Sequence, residues 1–62
     1  NDDAQMVAAE TTPPRGAIRF LLAGLGLKAL GRMDQARLAF QRVLQLDPVN
    51  DRARAELEQL PR

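Results

Sequence analysis

The stretch Phe20-Leu21-Leu22-Ala23-Gly24-Leu25-Gly26-Leu27-Lys28-Ala29-Leu30-Gly31, running on to Ala36, Phe40, Val43 and Asp47-Pro48, decides the fold of this 62-residue chain. Its large, small and helix-stopping residues are spaced as two helices folded back on one another require. A bulky ring at Phe20, a residue without a side chain at Gly24, and Ala36 and Phe40 on the following segment suit an antiparallel pair whose backbones approach closely. The expected fold class is therefore all-α, an antiparallel helix-turn-helix hairpin with a third C-terminal capping helix.

Working outward, the first helix is expected from about Pro13 to Leu30. Thr12 is placed to cap free backbone N–H groups, and Pro13 suits the first helical position, where no N–H is needed. Gly31 can take the left-handed conformation that closes a helix. The second helix begins near Met33 or Asp34, with the Asp34 carboxylate at the positive end of the helix dipole, and apolar or small residues recur at 36, 39, 40, 43 and 44. It stops around Asp47, because the residue before a proline is pushed out of helical geometry. Asn50 then caps a third helix from Asp51 to about Gln59, with Arg52 and Glu56, and Arg54 and Glu58, four apart as modest ion pairs. Ala53, Leu57 and Leu60 give that helix its apolar stripe, so it reads as a lid on the preceding pair. Residues 1–11 hold only Met6 and Val7 as large apolar side chains and read as a flexible tail or one frayed turn, leaving 12–60 as the helical domain.

Composition removes whole classes of chemistry. The chain has no Cys, His, Trp or Tyr, which takes away disulfides, thiol and imidazole catalysis and ordinary zinc sites together. No enzyme activity, cofactor or metal is expected. Nine basic and eight acidic residues nearly cancel, but Asp2, Asp3 and Glu10 gather three of the acids, so residues 11–62 carry nine positive against five negative charges. No membrane span is expected: the longest uncharged apolar run, between Arg19 and Lys28, is eight residues against about 20 needed. A sequence opening on Asn1 rather than Met is expected to be a fragment or a processed product.

The same positions, taken together, resemble one tetratricopeptide (TPR) repeat, a unit of about 34 residues built from two helices. Phe20 stands where that family usually has Trp, Gly24 at its small position, Leu27 where Tyr is usual, and Gly31 in the tight turn. Ala36 occupies the small position of the second helix, Phe40 the aromatic one and Pro48 the terminating proline. One repeat, from about Ala17 to Asn50, covers a little over half the chain, and Asp51 to Leu60 follows as a capping helix or the opening of a next repeat. Ala23 and Val43 depart from the family's Leu and Ala, and Arg32 lacks the usual capping side chain.

The resemblance implies a module that binds another polypeptide. Phe20, Gly24, Leu27, Ala36, Phe40, Val43 and Pro48 would be the repeat-packing residues. In TPR arrays the first helix of each repeat lines the peptide groove; the matching positions here are Ile18, Leu21, Leu25, Lys28 and Ala29. Partner choice would rest on Ile18, Leu21, Leu22 and Leu25, with Lys28 and Arg32 at the polar edge. That surface is apolar, so a hydrophobic or helical partner segment fits better than a peptide carboxylate, for which only Lys28, Arg32 and Arg19 are at hand.

The residues alone also permit the same leucines to lie in the core or against another copy. The first helix is apolar on most of its circumference, as in a helix surrounded by protein. Self-association, most simply a two-fold dimer, or adjacent repeats of a longer chain would supply that cover. The alternative reading is a purely structural oligomerisation or spacer element of a larger assembly, and binding at a membrane surface is a third. Gly24 and Gly26 lie inside a helix with no strand before it, which argues against a phosphate loop. Arg37, Arg42, Arg52 and Arg54 are neither clustered nor interleaved with aromatics, which argues against nucleic acid.

Overall fold

The computed structural model describes residues 14–61. It holds three helices: α1 (Arg15–Ala29), α2 (Met33–Leu46) and α3 (Asp51–Gln59). There is no strand among the described residues. The expected hairpin and third helix are therefore both present, while the residues 1–11 tail and the Thr12 cap lie outside the described residues.

The start of α1 differs from expectation. Pro14, extended at φ −58° and ψ 141°, is the N-cap, and the helix begins at Arg15 rather than Pro13. Without a side-chain cap, the Pro14 carbonyl accepts the first hydrogen bonds, from Ala17 N at 3.0 Å and Ile18 N at 3.3 Å. A proline serves here because the position needs an accepting carbonyl and no donor.

The other end of α1 closes as the sequence predicts. Gly31 is at φ +79°, Arg32 N donates to Leu27 O at 2.9 Å and Gly31 N to Lys28 O at 3.0 Å. This is the paired Schellman closure, and it satisfies two carbonyls the helix would otherwise leave free. The chain reverses within three residues and enters α2, whose first turn carries Asp34.

The reversal lays α1 antiparallel on α2. A Cβ placed on Gly16, early in α1, would meet Leu46 Cδ1 at 3.4 Å, at the far end of α2; one on Gly24 would meet the Phe40 ring. The core lies along this seam: Ala17, Ala36, Phe40, Val43, Ala53 and Leu60 are buried together, with Leu21, Leu25, Leu27, Met33, Leu44 and Leu57 half-buried against them. Three of the six buried residues are alanines, so the helices come close and Phe40 and Val43 supply most of the buried bulk.

Asp47, at φ −143° and ψ 84°, ends α2, in the extended geometry that Pro48 imposes on its predecessor. A tight turn follows, with Asn50 N donating to Asp47 O at 3.1 Å. The Asn50 side chain accepts from Ala53 N at 2.9 Å and opens α3, an N-cap contribution of about 1 kcal/mol. α3 packs mainly on α2 through Ala53, Leu57 and Leu60. The Arg37 guanidinium on α2 donates to the Pro61 carbonyl just beyond α3.

Candidate functional site

α1 has two faces of different character. Inward, Ala17 and Gly24 are buried, and Leu21, Leu25 and Leu27 lean on the core. Outward, Ile18 and Leu22, one turn apart, are 43% and 64% exposed. Ala23, Gly26 and Ala29 are exposed beside them, and a Cβ at Gly26 would meet nothing within 4 Å. The result is an apolar band along one helix, with room for another backbone at its centre. Arg15 and Arg19, also exposed, run beside it toward the start of the helix.

The six residues expected to choose a partner thus separate. Ile18 and Leu22 lie together on the outer face, while Leu21 and Leu25 turn half inward against the core. Arg32 sits in the turn after α1, exposed. Lys28 is engaged within the molecule: its Nζ donates to both Glu56 oxygens at 3.1 Å.

Glu56 is the residue that sequence reasoning misplaced. Expected only as the partner of Arg52 in a modest ion pair, it is 5% exposed, with Arg52 Nε 4.0 Å away. The i,i+4 spacing found the Arg52 contact and had no means of finding Lys28, which lies on another helix. Arg54, expected to pair with Glu58, pairs instead with Asp51 at 3.9 Å and donates to the Pro48 carbonyl at 2.9 Å. The i,i+3 contact and the carbonyl both lie toward the start of α3, where an arginine side chain leans by helix geometry.

Of the seven residues assigned to the helix–helix contact, Gly24, Ala36, Phe40 and Val43 are buried and Leu27 is half-buried. Phe20 is 36% exposed at the edge of the hairpin, with the Arg42 guanidinium 5.8 Å from its ring centroid. That distance allows a cation–π contact of about 0.5–1 kcal/mol at an exposed site. Pro48 is exposed in the α2–α3 turn.

Leu30, Leu46 and Val49 are also exposed, at 72%, 38% and 79%. Leu38 on α2 is 65% exposed, but its neighbours one turn away are Asp34, Gln35, Gln41 and Arg42, all exposed and polar. Among the described residues no group of three or more acids or other ligating side chains could hold a metal ion, and no helix is long and apolar enough to cross a membrane.

These features define an all-α helical hairpin bearing a third helix, with one outward apolar band on its first helix. No family model, curated protein or solved structure matches the chain.

Proposed function

We propose that the chain is a non-enzymatic protein-interaction module, similar in organisation to one TPR repeat, whose binding surface is the outer face of α1. The observation that carries this reading is the grouping of Ile18 and Leu22 with the open backbone at Gly26. A partner helix laid there can bury both side chains and approach the glycine closely, which is how a hydrophobic or helical segment is held by a helical scaffold. The close Gly24–Phe40 contact and the Gly31 turn support the repeat-like organisation, since they fall at the positions that the TPR pattern reserves for small, aromatic and turn residues.

The same surface can take a copy of the chain or an adjacent repeat of a longer one, so self-association belongs to the proposal. The test uses Leu22→Glu in the full chain, because Leu21 and Leu25 lean on the core and their replacement would disturb the fold. Affinity capture by wild type should recover a polypeptide, its own copies included, that Leu22→Glu fails to hold while its helicity is unchanged. Equal capture by both proteins would overturn the proposal.

A further inference from the structure

Gly24 and Gly26 both lie inside α1, but packing among the described residues explains only the first. A Cβ on Gly24 would collide with the Phe40 ring, whereas one on Gly26 would meet nothing within 4 Å. Glycine weakens a helix interior relative to alanine, so the opening at Gly26 has a cost that no close contact among these residues offsets. An approach from outside the hairpin would offset it.

The ridge that contains Gly26 indicates what approaches. Ile18, Leu22 and Gly26 follow at intervals of four, all exposed, and i±4 ridges are those by which helices most often pack. Leu22 is the midpoint of the row. Turning a second α1 end over end about Leu22 therefore brings Ile18 of each copy level with Gly26 of the other. A branched side chain meets the gap on the facing ridge, and two-fold symmetry makes that contact twice. Arg15 comes level with the exposed Ala29, which its aliphatic stem can cover.

A parallel pair has no such fit. It sets Ile18 on Ile18, leaves two glycines facing each other, and opposes Arg15 to Arg15 and Arg19 to Arg19, with no acid on α1 to offset them. In the antiparallel pair the two Arg15 lie about 21 Å apart along the axis and the two Arg19 about 9 Å, with a further helix separation of about 8–10 Å. Both exceed a Debye length of about 8 Å, so the repulsion is largely screened. With 15 residues, α1 is about 22 Å long, too short to reach the about 800 Å² per partner of a standard interface, which makes the association a weak one.

We infer that two copies of this chain pair antiparallel through α1 about a two-fold axis at Leu22, with Ile18 of each seated over Gly26 of the other. The inference rests on the outer face of α1 being a binding surface, and it deepens that reading by naming a second copy as the occupant and fixing its register.

Sedimentation equilibrium of the full chain from about 10 μM to about 1 mM covers the affinities of so small a contact. The average mass of wild type should climb toward twice that of the monomer. Gly26→Leu fills the gap and should weaken pairing at least tenfold, while its circular dichroism melt at low concentration is no lower than that of wild type. Ile18→Ala combined with Gly26→Leu exchanges the large and small partners and should restore pairing. A monomeric mass throughout, a dimer that Gly26→Leu leaves unchanged, or no recovery in the double variant would each overturn the inference. If the chain stays monomeric yet captures another polypeptide that Leu22→Glu fails to hold, the binding surface stands and only the second copy is refuted; if Leu22→Glu captures as wild type does, the surface itself fails.

Discussion

The ammonium of Lys28 on α1 lies 3.1 Å from both carboxylate oxygens of Glu56 on α3. α3 packs chiefly on α2, so this pair is its charged tie to the first helix. Glu56 is 5% exposed, and a carboxylate so enclosed is stable only with its partner in place. Lys28 keeps about a third of its side chain in solvent, which weakens the pair relative to a fully enclosed one.

Lys28→Met should therefore destabilise the fold by about 1–2 kcal/mol, mostly by leaving Glu56 without its closest cation. Lys28→Met combined with Glu56→Leu should recover much of that loss, because no buried charge remains. A double-mutant cycle by denaturant unfolding measures the coupling; additive losses would show that the two side chains act independently.

Gly24 and Phe40 set the distance between α1 and α2. A Cβ on Gly24 would lie 2.6 Å from Phe40 Cε1, and Phe40 is fully buried. Gly24→Ala should cost about 1–3 kcal/mol through overpacking, outweighing the roughly 1 kcal/mol gained in helix propensity. Thermal unfolding by circular dichroism checks the sign. A more stable Gly24→Ala protein would mean that the helices can separate at no cost.

Gly31 holds the turn at φ +79°, and a Cβ there would meet nothing within 4 Å. Gly31→Ala should thus be destabilising for conformational reasons alone, by about 1 kcal/mol. At Gly26, inside α1 and equally open, the same substitution should stabilise by up to about 1 kcal/mol. Opposite signs at two uncrowded glycines, read from paired melting curves, would establish that Gly31 is selected by backbone conformation.

Much of this architecture is legible in the residues. Gly31, Asp47-Pro48 and Asn50 punctuate the chain where the helices end and begin, because each acts through local geometry that needs no knowledge of the fold. Gly24 opposite Phe40 is also readable, since a small residue and a ring at hairpin spacing imply a close crossing. The direction in which α1 faces is not. With apolar residues around most of its circumference, Leu21 and Leu22 have equal claims on the core, and only contact with α2 turns the first inward and the second out. Glu56 is hidden from sequence for a related reason: local spacing offers Arg52, whereas the partner that allows its burial lies on α1. The start of α1 at Arg15 rather than Pro13 reflects two adjacent prolines, either of which can stand at a helix entrance.

Leu22 and Leu38 offer a matched comparison for the binding surface, being 64% and 65% exposed on different helices. Leu22 has Ile18 one turn before it and the open Gly26 one turn after, while Leu38 is ringed by polar side chains. Capture of polypeptides by the full chain carrying Leu22→Glu or Leu38→Glu, each shown to melt as wild type does, tests the account most directly. The account predicts that Leu22→Glu abolishes capture and Leu38→Glu leaves it intact. Equal retention or equal loss in the two variants would contradict it.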